Sequence, residues 1–294
     1  MAKFCKEDIL YRMVRDTALM ATVYRPHANG PVPFVIDVHG GAWASGDRFN
    51  NKTIHHSFAE NGIGVFAIEF RLSSEAQFPD PVRDVNYAVR WFRKNLDNLN
   101  IETKLIGGLG SSSGAQQLGI VATQPTNPLY VIPDKQLANV DATLDFFIAC
   151  WPILDPHARY KMAKEKKIDR LLEAHHLYFA NPSDMIIGNP YMTIKGGKAT
   201  HMPPMAIIQG EADANVDHFR ADIFAKAYLE AGGQIEVHKY AAQPHTFVEN
   251  SPEDPDAKDA IIKLENFIFS LNIWELGIIV LNSDKLPQRS GRIL

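Results

Sequence analysis

Cysteine is nearly missing from this chain. Of 294 residues only Cys5 and Cys150 are cysteines, too few and too far apart for a disulfide framework or a thiolate metal site, so a reducing compartment is the simpler reading. No apolar run approaches the roughly 18 residues that a membrane-spanning helix needs. The opening residues, Met-Ala-Lys-Phe-Cys-Lys-Glu-Asp, lack the apolar stretch of a secretory signal, and a cytoplasmic location is expected. An excess of one charge is absent too: 30 basic against 34 acidic residues leave a net charge of -4, which gives no attraction to nucleic acid or to anionic membrane surfaces. No internal repeat and no HExxH string occur. The pairs His55-His56 and His175-His176 are adjacent, so on helices they diverge by about 100° and cannot chelate one ion; neither a catalytic metal nor a cofactor is expected.

What is present is an alternation of apolar runs with segments of helical period, the pattern of a largely parallel sheet with helices on its faces. The spacing predicts eight strands: Ile9 to Val14, Leu19 to Tyr24, Phe34 to His39, Gly64 to Phe70, Lys104 to Leu109, Asp145 to Cys150, Met205 to Gln209 and Ile235 to Tyr240. The first two read as edge strands, and the continuous apolar runs read as strands covered on both faces. Val82, Val85, Val89 and Phe92 mark one covering helix, and Ala260, Leu264, Phe267 and Ile268 another. More than 50 residues separate Cys150 from Met205, too many for a loop and one helix. Residues 152–201 are therefore expected to form a small helical lid, with Ile168, Leu171, Leu172, His175 and Phe179 on its packed face and the charges of Lys161 to Arg170 in solvent. Residues 1–294 read as a single α/β domain. For the tail, 273–294, an added edge strand, a homodimer contact and a frayed end are all open.

Gly110-Ser111-Ser112-Ser113-Gly114 carries the strongest chemical signal. It follows an apolar run and precedes a segment with Leu118, Val121 and Ala122 on one helical face. Strand, tight turn and helix form the setting of an exposed nucleophile, and glycines two residues away on either side remove Cβ atoms that would clash with strand and helix. Only Ser112 has both glycines. A competing reading, Gly108, Gly110 and Gly114 as a nucleotide-binding turn, lacks a following Walker lysine. Some 70 residues earlier, His39-Gly40-Gly41-Ala42-Trp43 ends a strand, where paired glycines leave backbone N–H groups unobstructed. The N–H groups of Gly41, Ala42 and Ser113 are the expected oxyanion hole. His39 reads as a structural turn residue.

A serine hydroxyl needs a base, and the base needs an orienting carboxylate. Asp213 lies just beyond the Met205 strand and His245 beyond the Ile235 strand, in the chain order serine, acid, histidine that such a sheet imposes. Glu211 and Asp217 compete as the acid, and Asp155 does so more weakly. Trp43 and His175 are the substrate-pocket candidates, the alternative for each being a packed interior side chain.

With these residues placed, the sequence resembles the α/β-hydrolase fold over about residues 20–270, in particular the hormone-sensitive-lipase-like carboxylesterases and the related arylformamidases. Phe70-Arg71-Leu72-Ser73-Ser74-Glu75, Phe78-Pro79-Asp80, Asp84 and Trp91 add to the likeness. The resemblance implies a mostly parallel eight-stranded sheet with the lid inserted after the sixth strand. It also implies Ser112 as nucleophile, His245 as base, Asp213 as its partner, and Gly41, Ala42 and Ser113 as oxyanion hole. Ala42 replaces the third glycine of the lipase-like HGGG, and Ser111 stands where those esterases usually carry Asp and arylformamidases often His, which leaves the subgroup open. The first expectation is hydrolysis of a small to medium carboxylic ester through an acyl-enzyme, in a modest, mainly apolar pocket. The second is an amidase acting on an N-formyl aryl amine. The third, from another class, is a non-catalytic ligand-binding homologue, which the intact serine, acid and histidine argue against.

Overall fold

The structure, a computed structural model, describes residues 3–275. Its eight strands are β1 (Phe4–Val14), β2 (Thr17–Pro26), β3 (Phe34–Val38), β4 (Gly64–Ile68), β5 (Ile106–Ser111), β6 (Phe147–Cys150), β7 (Met205–Gly210) and β8 (Ile235–Tyr240). They form one sheet in the order β1-β2-β4-β3-β5-β6-β7-β8. β1 and β2 pair antiparallel, as do β2 and β4; every other neighbouring pair is parallel. Only β1 of the first two strands is an edge. β2 is interior because Ala21 to Tyr24 pair with Val65 to Ile68 on its other side. β5 runs two residues further than the apolar run predicts, since Gly110 and Ser111 find partners in Val38 and Cys150 on the flanking strands. Pairing here overrides the poor strand propensity of glycine and serine.

The helices are α1 (Lys52–Glu60), α2 (Asp80–Lys94), α3 (Ser113–Thr123), α4 (Pro156–Glu165), α5 (Asp169–Tyr178), α6 (Asp184–Ile187), α7 (Pro190–Lys195), α8 (Phe219–Glu230), α9 (Phe247–Asn250) and α10 (Pro255–Glu275). Alternate side chains of each strand feed two cores. Val35, Val65 and Ile208 pack with α1, α9 and α10. Ile36, Phe66 and Ile207 pack with α2, α3 and α8. The stripe Val82, Val85, Val89 and Phe92 is fully buried on α2, as its spacing predicts. α3 is buried all round rather than on one face, because a further layer covers it. That layer is the segment between β6 and β7, which holds α4 to α7 and contributes Tyr178, Phe179, Met185 and Ile194 to the second core. Residues 273–275 continue α10, and the rest of the tail lies outside the described residues.

β3 is followed by β4 on one side, and its other neighbour β5 by β6 on the far side, so the connections leaving the adjacent carboxyl ends of β3 and β5 run in opposite directions. A crevice opens at such a switch point, and open α/β sheets place their ligands there. The loops after β3, β5, β6, β7 and β8 all converge on it.

One buried acid fastens the antiparallel edge to this frame. Asp84 of α2 is fully buried and accepts from Arg12 of β1 at 2.5 Å and from Arg71 Nε at 2.7 Å and Nη2 at 3.0 Å. Removing one partner of a buried ion pair leaves an uncompensated charge. Asp84→Ala is therefore expected to lower unfolding free energy by about 3 kcal/mol or more, and Arg12→Met by less, as read from urea midpoints at constant m.

Candidate active site

Ser112 occupies the turn between β5 and α3 with φ 48 and ψ -114, a backbone conformation that costs on the order of 1–3 kcal/mol and persists only where the surroundings impose it. Two hydrogen bonds impose it here: Ser112 N–H donates to Cys150 O at 2.9 Å, and Ile153 N–H donates to Ser112 O at 3.0 Å. The flanking glycines are a steric necessity. A Cβ at Gly114 would lie 2.0 Å from Val38 O, and one at Gly110 would lie 2.7 Å from Ala115 Cα. Gly108, which the nucleotide-binding reading needs in a loop, is inside β5 against Leu118 and Leu144. Ser111 is drawn into a buried network: its Oγ accepts from Asn51 Nδ2 at 3.1 Å, Asn51 Nδ2 also donates to Asp37 at 2.8 Å, and His55 Nε2 meets the other Asp37 oxygen at 2.8 Å.

The loops after β7 and β8 bring the remaining pair to the serine. His245 Nε2 is 3.0 Å from Ser112 Oγ, and His245 Nδ1 is 2.7 Å from Asp213 Oδ2. Asp213 Oδ1 accepts from the N–H groups of Asn215 at 2.7 Å and Val216 at 3.0 Å, and Gln209 Nε2 donates to Oδ2 at 3.1 Å. Burial pushes the Asp213 carboxyl up, but the contact with His245 and the two backbone donors outweigh it and hold it below its ordinary value. The other candidate acids are engaged elsewhere. Asp217 pairs with Lys166 at 2.7 Å, Glu211 with Lys239 at 3.3 Å, and Asp155 caps α4 through Ala158 N–H while pairing with Arg220.

Gly41 and Ala42 border the same cavity as Ser112. Both have left-handed backbone, φ 118 and 51, and a Cβ at Gly41 would meet Ser45 O at 1.9 Å. Among the described residues no hydrogen bond uses the N–H of either. Ser113 opens α3, where an N–H has no partner within the helix. Its hydroxyl accepts from Trp43 N–H at 3.1 Å. His39 is buried in its turn, Nδ1 2.6 Å from Gly40 O and the ring stacked on Phe70.

The two pocket candidates are not in the pocket. Trp43 is 0% exposed, stacked at 4.8 Å on Tyr178, with its Nε1 donating to Gln116 Oε1 at 2.9 Å; it is an interior plug. His175 is also 0% exposed and lies between Leu171 O at 2.8 Å and Pro156 O at 3.1 Å. The cavity, about 320 Å³, is instead bordered by Trp151, Asn50, Asn51, Arg159, Arg170 and Asn215 beside the serine and histidine. The expected mainly apolar lining is thus met only in part: asparagines and two arginines share the wall with Trp151 and the glycine loop. Trp151 follows the carboxyl end of β6 directly, a position from which it could have been found. The arginines had no such signal, since Arg170 ends a charged run that reads as a solvated face. A hydroxyl, an imidazole and a carboxylate in series, with free N–H groups alongside, have the parts for nucleophilic acyl transfer.

Architecture and site together define an α/β-hydrolase fold. The BD-FAE family profile matches residues 21–228, and the chain belongs to that family. Among curated proteins it is similar to the ethyl acetate hydrolase of Pseudomonas putida, 21% identical over 88% of this chain and 80% of that one. It is also similar to the esterase LipC of Mycobacterium tuberculosis, 24% identical over 59% of this chain; the chain spans about half the length of that relative, 46% being matched. Among solved structures, a propionate-bound thermophilic esterase from Thermogutta terrifontis superposes with a TM-score of 0.72 at 22% identity, covering 94% of this chain and 96% of that one. Among the described residues no helix is long and apolar enough to cross a membrane.

His175 makes stability depend on acidity. Burial, and secondarily the charge of Arg159, lower its pKa from 6.5 to about 4. Between those values the unfolded chain binds a proton that the folded chain refuses, so this contribution is whole above pH 6.5 and is lost as the pH falls towards 4. A His175→Asn variant, less stable at pH 7.5 through lost packing, should close on the wild type by up to about 3 kcal/mol at pH 4 in paired urea titrations.

Proposed function

We propose that the chain is a serine hydrolase that cleaves a small to medium carboxylic ester through an acyl-enzyme. The observation that carries this reading is the unbroken series Ser112 Oγ, His245 and Asp213, with contacts of 3.0 and 2.7 Å. His245 Nε2 takes the hydroxyl proton as Ser112 Oγ attacks the ester carbonyl, while Asp213 holds the Nδ1–H tautomer and stabilises the imidazolium. The N–H groups of Gly41, Ala42 and Ser113 receive the developing oxyanion. His245 then protonates the departing alcohol, and water, deprotonated by the same imidazole, releases the acid from Ser112. The names of the relatives agree with ester chemistry. Residues 152–201 are read as a cap that closes one side of the cleft through Arg159 and Arg170.

The test is release of 4-nitrophenol from acetyl, butyryl and octanoyl esters at neutral pH with chelator present. Ser112→Ala and His245→Ala should each lower kcat by at least about a thousandfold with the fold intact by circular dichroism, and Asp213→Asn should do so severely. Asp217→Asn, whose carboxylate faces Lys166, should stay near wild type; the reverse ranking of the two aspartates would reassign the acid. N-formyl anilines in the same assay separate an esterase from an amidase.

A further inference from the structure

The cleft holds a buried cation that no carboxylate touches. Arg159 of α4 is 4% exposed, and among the described residues no carboxylate pairs with it, whereas Arg12, Arg48, Arg71 and Arg220 all have one. Its guanidinium meets neutral groups only. Nε donates to Asn215 O at 3.0 Å, Nη1 lies 3.5 Å from His175 Nδ1, and the Trp43 ring is 5.8 Å away. Nη2 makes no hydrogen bond among the described residues, and the side chain borders the cavity that contains Ser112. Arg170 borders the same cavity from α5 and donates from Nη1 to Asn215 Oδ1 at 3.0 Å. One residue, Asn215, therefore orients both guanidinium groups, and its own N–H is held by Asp213 at 2.7 Å. Burial and then the charge of Arg170 lower the pKa of Arg159 to about 10, against a smaller opposing pull from the Asp213 carboxylate, which leaves it a cation at neutral pH.

A buried cation of this kind is costly unless something supplies the counter-charge. We propose that the substrate supplies it: the cleft selects esters that carry a free carboxylate on the acyl or alcohol half, gripped by Arg159 and Arg170 while Ser112 attacks the ester. A planar guanidinium with free N–H donors matches the two oxygens of a carboxylate. The proposal rests on the hydrolase reading above and adds the class of substrate to it. It also explains why a cavity beside a hydrolytic serine is lined by asparagines and arginines rather than by aliphatic side chains.

Matched pairs of esters test it on both halves: 4-acetoxybenzoate against its methyl ester, and mono-4-nitrophenyl adipate against methyl 4-nitrophenyl adipate. In at least one pair the wild type should favour the carboxylate by about tenfold or more in kcat/KM, and that ratio should fall about tenfold in Arg170→Gln, whose exposed side chain makes folding a small concern, and in Arg159→Gln. Added salt should erode the preference. Ser112-dependent turnover with no preference for the carboxylate, or a preference that survives both substitutions, overturns the proposal while leaving the esterase reading in place. If no ester is turned over, calorimetric titration of Ser112→Ala protein with the same pairs decides separately: tighter, Arg170-dependent binding of the carboxylate member upholds the anion site and discards the hydrolase, and equal binding discards both.

Discussion

Everything at this site depends on how closely the first turn of α3 approaches the end of β3. Gly114 lies so near Val38 O and His39 O that no side chain larger than hydrogen fits between them. That approach sets Ser112 directly beside Gly40, where a Cβ would be only 3.1 Å from Ser112 Cβ. Ser112 and the glycine loop after β3 are thus two sides of one steric contact. The strained φ of Ser112 sits at the corner where β5 turns into a helix pressed against β3, held there by its hydrogen bonds to Cys150 and Ile153.

Trp43 converts that contact into a rigid unit. Its N–H reaches Ser113 Oγ, its indole N–H reaches Gln116 one turn further along α3, and its ring lies flat on Tyr178 of the inserted helices. Gln116 in turn donates to Gly188 O at 2.7 Å in the same insertion. Swinging the insertion away would separate stacked aromatic rings and leave a buried amide unpaired, costs that together reach several kcal/mol. The insertion is therefore held as a wall, and Arg159 and Arg170 stand at fixed positions relative to the serine.

Local signals made most of this legible. The GSSSG turn and the HGGAW loop announce themselves because glycine is needed where a close approach or a left-handed φ forbids any other residue, and a single sequence records that need. Asp213 and His245 followed from their places after strands, without knowledge of packing. What local pattern could not say is where a side chain points. Trp43 and His175 stand next to functional segments and face the interior, whereas Arg159 and Arg170 sit in a charged stretch and border the cleft. Periodicity separates a packed face from a solvated one, but a cleft wall is a third environment that shares the composition of the second. The strand limits of β5 failed for a related reason, since pairing with β3 and β6 is a non-local reward that glycine-rich sequence conceals.

The same separation of scales governs the charges. Asp213 is hydrogen-bonded to His245, Gln209 and the N–H groups of Asn215 and Val216, so its charge is engaged mainly with the imidazole and reaches Arg159 only at longer range. Arg159, on the far side of Asn215, is left with a carbonyl oxygen, a ring nitrogen and an aromatic face. These neutral acceptors orient the guanidinium without cancelling its charge. A carboxylate built into the protein at that point would stabilise the fold more, but it would occupy the space in which a substrate must lie. The asparagine that orients this cation also donates to Asp213, so the proposed anion grip and the proposed serine–histidine–aspartate series share one loop.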